Sequence, residues 1–167
     1  MKEVYESSFR TLFSELKISY DTSDAVKILF KEHTFSHFYN DTVDFLESIS
    51  RTYKVCIVSD ADVAMIPDIS ATYGAQLFTS EQYQSYKNDD RNIMFKEVLK
   101  SYNVHPKQVL HIGDSASDVL GANREGISTC WINRNKRTWD HEIQPDFIVE
   151  SLNKIEEILR GQIHQNH

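Results

Sequence analysis

A succession of short apolar runs, separated by helix-patterned segments, constrains the fold of this chain most. Val55-Cys56-Ile57-Val58, Val109-Leu110-His111-Ile112 and the stretch Ile127 to Ile132 are the clearest. Runs this short and this apolar read as strands buried on both faces. Gln76-Leu77-Phe78 and Phe147-Ile148-Val149 read as shorter strands of the same kind. Strands that alternate with helices imply a parallel sheet with right-handed crossovers and helices on both faces. The expected fold class is therefore α/β.

The 109–112 run ends in Gly113-Asp114-Ser115-Ala116-Ser117-Asp118. Asp114 stands at the carboxyl end of a strand, where open α/β sheets place their ligands. Asp118 follows one helical turn later, so both carboxylates can face one point. Two convergent carboxylates suit a hard divalent cation such as magnesium. The plainer alternative is that Asp114 caps the next helix and Asp118 is a solvated acid in its first turn.

No strand signal precedes residue 54. Phe9, Leu12, Phe13 and Leu16 share one face of a helix over residues 2–17. A second helix starts after Asp21, with Thr22 or Ser23 as its cap, and buries Val26, Leu29 and Phe30. Asp41 caps a third that carries Val43, Leu46 and Ile49. The aromatic cluster Phe35, His37, Phe38, Tyr39 reads as packing. After the 55–58 strand a helix is expected to run to about Tyr73-Gly74. Later helices bury Ile93, Met94, Val98 and Leu99, then Val119, Leu120 and Ala122, then Leu152 to Leu159.

The 167 residues suit one domain with a small appendage, and the net charge is −7 with no block of Lys or Arg. That balance argues against nucleic acid or a membrane surface as partner. No apolar run is long enough to span a bilayer, and Met1-Lys2-Glu3 does not read as a signal peptide. Cys56 and Cys130, each inside a strand, read as buried reduced thiols, as expected of a cytoplasmic protein.

Three strand ends carry polar residues in a fixed order: Ser59, then Lys87, then Asp114 with Asp118. That order resembles the haloacid dehalogenase (HAD) superfamily, mostly magnesium-dependent phosphohydrolases. Ser59 matches the second family motif, Lys87 in Tyr86-Lys87-Asn88-Asp89 the third, and Gly113-Asp114-Ser115-Ala116-Ser117-Asp118 the fourth. The flanking Gly121-Ala122, Gly126-Ile127 and Trp131-Ile132-Asn133-Arg134 agree. The resemblance implies a Rossmann-like parallel sheet of the HAD type over 38–167, and that 1–37 are the later helices of an α-helical cap. It implies that Asp114 ligates magnesium, with Asp118 as second ligand or acceptor for metal-bound water. Ser59 would donate to a phosphate oxygen, and Lys87 would supply positive charge to a small phosphorylated metabolite.

The chain departs from the family in one respect. The first motif, a buried strand ending in Asp-x-Asp, supplies the nucleophile that becomes an aspartyl-phosphate. Nothing from Met1 to Asn40 matches it, so the chain reads as truncated at its amino terminus and lacking the central strand of its sheet. The strands beside that place, 55–58 and 109–112, should then pair directly, stay open, or accept a segment from elsewhere. Asp60-Ala61-Asp62 has the Asp-x-Asp form, but Ser59 and the downstream order fit the second motif better. The function expected is a phosphatase, inactive as this chain alone; the alternative is a non-catalytic binding or scaffold protein. A GDSL-type esterase is disfavoured, because its Asp-x-x-His block is missing and Asp140-His141 are adjacent.

Overall fold

The computed structural model describes residues 2–165. Helix α1 (Lys2–Glu15) and helix α2 (Thr22–Thr34) lead the chain, followed by α3 (Thr42–Ile49). Strand β1 (Cys56–Ser59) leads through a short 3-10 turn and α4 (Ile69–Tyr73) to β2 (Gln76–Thr79). Helices α5 (Ser80–Tyr83) and α6 (Ile93–Tyr102) then precede β3 (Leu110–Gly113). Helix α7 (Ala116–Arg124), β4 (Ser128–Ile132), β5 (Phe147–Val149) and α8 (Asn153–Gln165) complete the order. The α/β alternation is as the sequence implies. The expected helix after β1 is broken at Pro67, whose ring cannot continue the backbone hydrogen-bond series. No described helix is long and apolar enough to cross a membrane.

The strands form two sheets. β1 pairs with β2 in parallel, from Cys56 opposite Gln76 to Ser59 opposite Thr79. β3, β4 and β5 form a second parallel sheet in that order. Among the described residues no strand ladder joins β1 to β3. The two edges do not close on each other.

Packing rather than a ladder unites the halves. Phe95 of α6, 1% exposed, forms a buried cluster with Ala122 and Ile127, and both Val58 of β1 and Val109 pack against it. The Phe95 ring also meets the His111 ring of β3 edge-on at 4.8 Å. On the other face of β3, Leu110 and Ile112 lie against a cluster of Phe45, Cys130, Val149, Leu152 and Ile155. Tyr102, at the end of α6, donates its hydroxyl to the Val55 carbonyl at 3.2 Å.

Asp41 stands at the start of α3 but makes no side-chain cap. Its carboxylate instead accepts both guanidinium nitrogens of Arg134, at 2.8 and 2.9 Å, and the Leu152 amide at 2.9 Å. The Arg134 bonds hold the Asp41 carboxyl below its usual range against the opposing effect of burial. Arg134 also stacks on the Tyr39 ring, 4.2 Å from its centroid.

The amino-terminal segment departs from expectation. Asp21, not Thr22 or Ser23, caps α2, accepting from the Asp24 amide. Helix α1 buries no residue, and Leu12 and Leu16 lie on the surface. Phe35, Phe38 and Tyr39 are exposed rather than buried, Tyr39 beneath Arg134 included. α1 and α2 meet through Tyr5, whose ring lies edge-on to that of Phe30 at 6.2 Å.

Phe95→Ala should cost about 3–5 kcal/mol, the usual range for emptying a buried aromatic site. Urea titration would show it as a lowered midpoint. An unchanged midpoint would mean that α6 does not hold the two halves together.

Candidate functional site

The site forms where the carboxyl ends of β1 and β3 meet the 84–92 loop. Asp118, in the first turn of α7, is 4% exposed. One of its oxygens lies 2.5 Å from Lys87 Nζ and 3.0 Å from His111 Nε2. The other accepts the Ser115 amide at 3.1 Å and the Ser115 hydroxyl at 2.5 Å. Both oxygens are thus engaged within the chain. Ser115 stands at the N-cap, so the reading of Asp114 as cap and Asp118 as a solvated acid fails on both counts.

Burial alone would raise the Asp118 pKa. The His111 hydrogen bond and the nearby Lys87 and His111 outweigh it and hold the carboxyl far below its usual range.

Lys87 is placed by its backbone. Its amide donates to Asp60 Oδ1 at 2.7 Å, just beyond β1. Asn92 Nδ2 donates to the Gly121 carbonyl at 2.7 Å. Arg124 donates to the Asp89 carbonyl at 2.8 Å and to Asn88 Oδ1 at 3.0 Å. The loop is thereby fastened to β1 at one end and α7 at the other. Lys87 is no solvated loop residue, since its side chain is 14% exposed.

Two glycines permit this closeness. A Cβ on Gly121 would collide with the Lys87 carbonyl oxygen, and one on Gly113 with the Asp118 side chain. In the sequence Gly113 and Gly121 stand out only as motif punctuation. His111 and Phe95 are hidden there inside apolar runs, and Asn92 in a polar loop.

Asp114 is exposed at the end of β3. Its carbonyl accepts Trp131 Nε1 at 3.1 Å and Arg137 Nη2 at 2.7 Å. Trp139 lies against Trp131, ring centroids 4.8 Å apart. Arg137 is held by Asn133, whose side chain accepts the Arg137 amide and donates to its carbonyl, both at 2.8 Å. Ser59, half-buried, ends β1 opposite Thr79. Asp60, despite its place in an Asp-x-Asp pattern, is the acceptor for the Lys87 amide.

Magnesium needs about six oxygen ligands and several charged ones for tight binding. Among the described residues no three metal-binding side chains cluster. Asp114 offers an exposed carboxylate, whereas both Asp118 oxygens are committed. The donor set fits a magnesium ion only in part, with Asp118 as a support rather than a direct ligand. A concavity of about 870 Å³ along β5 and α8 is lined by Ile148, Glu150, Lys154 and neighbours and reaches Asn133, but includes none of Ser59, Lys87, Asp114 and Asp118.

Because the Asp118 pKa is lowered on folding, its stabilisation is fully present above the unfolded value of about 3.9. It drains away as pH falls through the folded value. Chemical denaturation from pH 6 to pH 2 should show a steep acid loss that Asp118→Asn flattens. At neutral pH, Asp118→Ala should cost about 3–5 kcal/mol, since it leaves Lys87 buried without its partner. An unaltered acid profile in Asp118→Asn would contradict the charge pairing.

The HAD-hydrolase-like family matches residues 91–155. A pyrimidine 5'-nucleotidase of Escherichia coli is 42% identical over 53 residues, 31% of this chain and 24% of that protein. An (S)-2-haloacid dehalogenase of Pseudomonas is 26% identical over 72% of this chain and 54% of its own length. Each match thus takes in about half or less of the relative. The fold is similar to that of a HAD hydrolase of Bacillus subtilis solved with magnesium. The TM-score is 0.76 and the identity 21%, over 94% of this chain and 72% of that one. Over residues 91–155 the chain matches the HAD-hydrolase-like family, and its fold is similar to that of HAD hydrolases.

Proposed function

We propose that this chain carries the phosphate-holding part of a HAD-type phosphohydrolase site for a small phosphorylated metabolite. The observation that carries it is the Lys87–Asp118 pair, which joins the third and fourth motifs at one point beside the end of β1. Residues 1–37 are read as part of an α-helical cap and 38–167 as the catalytic core. A cytoplasmic setting suits both the reduced thiols and the substrate class, and no role in nucleic-acid or membrane binding is proposed.

Each residue has a defined task in this reading. The Ser59 hydroxyl donates to a phosphate oxygen. Lys87 has three N–H donors, of which the bond to Asp118 uses one, leaving charge to offer the phosphate. Asp118 positions Lys87. Asp114, its backbone fixed by Trp131 and Arg137, presents its carboxylate to magnesium. A bound magnesium would neutralise phosphate charge. No residue of the chain is assigned as nucleophile, so the step that forms an acyl-phosphate is not available to it alone.

The chain alone should therefore not hydrolyse p-nitrophenyl phosphate with magnesium above the level of Asp114→Ala. Magnesium-dependent turnover abolished by Asp60→Asn would show instead that the 59–62 segment supplies the nucleophile. Binding without turnover is the second reading, favoured by the full engagement of Asp118 within the chain.

Magnesium should bind weakly, on the order of millimolar, as expected for few charged ligands. Trp131 and Trp139, the two tryptophans of the sequence, adjoin Asp114 and report on it by fluorescence. Loss of the response in Asp114→Asn is expected; a response that survives the substitution would place the ion elsewhere.

A further inference from the structure

We propose that Arg137 anchors a second anion subsite beside Asp114, for a substrate that carries a further anionic group a few atoms from its phosphate. The inference rests on the phosphate-holding reading of the site and adds to it a residue that selects the substrate.

The turn after β4 is built to aim one side chain. The Asn133 amide continues the ladder, donating to the Val149 carbonyl at 2.7 Å. The Asn133 side chain then closes the turn at its far end, through both the amide and the carbonyl of Arg137. A further bond runs from the Lys136 amide to the Asn133 carbonyl at 3.2 Å. Lys136 takes a φ of 52°, in the left-handed region that residues with a side chain rarely adopt. The chain reverses there and sends Arg137 back to the neighbouring strand β3, where its Nη2 reaches the Asp114 carbonyl at 2.7 Å.

The basic residues of this turn go separate ways. Arg134 pairs with Asp41. Lys136 lies 3.6 Å from a Glu150 carboxylate oxygen. Arg137 is exposed, and among the described residues no carboxylate pairs with it. Asp and Glu outnumber Lys and Arg by 25 to 18, so carboxylate partners are not scarce in this chain. The one basic residue of the turn left without such a partner is the one beside Asp114.

The Asp114 carbonyl does not account for the arginine. Trp131 Nε1 already donates to the same oxygen, at 3.1 Å, from a residue that is 4% exposed. A guanidinium has five N–H donors in a planar fork, and the carbonyl takes one of them. The other donors stand at the margin of the site where Asp114 too is exposed. A planar fork suits a carboxylate or a phosphate, each of which accepts two parallel N–H bonds.

Position limits the size of the ligand. Lys87 reaches the end of β3 from the loop fastened to β1, and Arg137 reaches it from the turn after β4. Lys87 bonds to Asp118 and Arg137 to Asp114, on the same short stretch of chain. The two cations therefore flank one small molecule, and the second anion belongs to the metabolite whose phosphate Lys87 and Ser59 hold.

Three phosphonates test this, because their carbon–phosphorus bond resists hydrolysis. 3-Phosphonopropionate and ethane-1,2-diphosphonate carry a second anion; propylphosphonate has a methyl group in its place. Calorimetric titration of the full chain with magnesium present should show one of the first two binding about tenfold or more tighter than propylphosphonate, as expected of charge-assisted hydrogen bonds. The tighter of the two identifies the second group as a carboxylate or a phosphate. In Arg137→Ala that ratio should fall to about twofold or less, and Arg137→Lys, which keeps the charge but loses the fork, should fall between. A ratio that survives in either variant, with all three ligands weakened alike, would assign Arg137 to propping Asp114 and overturn the proposal. Equal binding of the three by the unaltered chain, weakened about threefold by Ser59→Ala as for one lost hydrogen bond, would overturn it while leaving the phosphate site in place. Binding of none of the three would remove the phosphate site and this subsite with it.

Discussion

The Asp118 carboxylate is the interaction on which the site and much of the core depend. It is buried, and it accepts from three residues that come from three places: Lys87 from the 84–92 loop, His111 from β3, and Ser115 from the turn before α7. A buried charge is costly unless paired and hydrogen-bonded, and this one is both. Few neighbours are free to change around it. The Lys87 backbone is held by Asp60, and α7 can come this close only because residues 113 and 121 lack a Cβ. The site is accordingly rigid at its base, while Ser59 and Asp114 stand at its more open margin.

The same contacts explain how two separate sheets stay together. In an ordinary α/β domain, backbone hydrogen bonds across the central strands carry that load. Here side chains carry it: Lys87 to Asp118, Phe95 between Val58's cluster and His111, and Tyr102 to Val55. Side-chain contacts are less regular than a ladder and each is removable by one substitution. Arg134 does similar work lower down, tying the start of α3 to the chain after β4 through Asp41.

Much of this is legible in the sequence, because strand positions follow from apolar runs and motif residues from their ends. β1 to β5 fall within one residue or so of the runs that predict them. Whether β1 and β3 pair directly is not legible in the apolar runs, which allow a closed or an open edge alike; among the described residues they do not pair. What the sequence hides are partners set by tertiary closeness. Asp118 looks like a surface acid in the first turn of a helix; only the fold shows that Lys87, 31 positions earlier, reaches it. His111 sits in an apolar run, where nothing marks it as the polar partner of a carboxylate. The aromatic residues 35–39 mislead for the converse reason: a hydrophobic side chain predicts burial only when a second surface is present to cover it. Most of the exposed large apolar residues fall in the first 43 positions, where α1 and α2 pack on each other and on the 63–65 turn.

Stability and ligand binding meet in the cleft. Ser59 ends β1 on one side of it and Asp114 follows β3 on the other. The distance between Ser59 and Asp114 is therefore set by how far apart the two sheets stand, and among the described residues side chains rather than a ladder set it. Whatever fixes the separation of β1 and β3 also fixes Ser59 relative to Asp114.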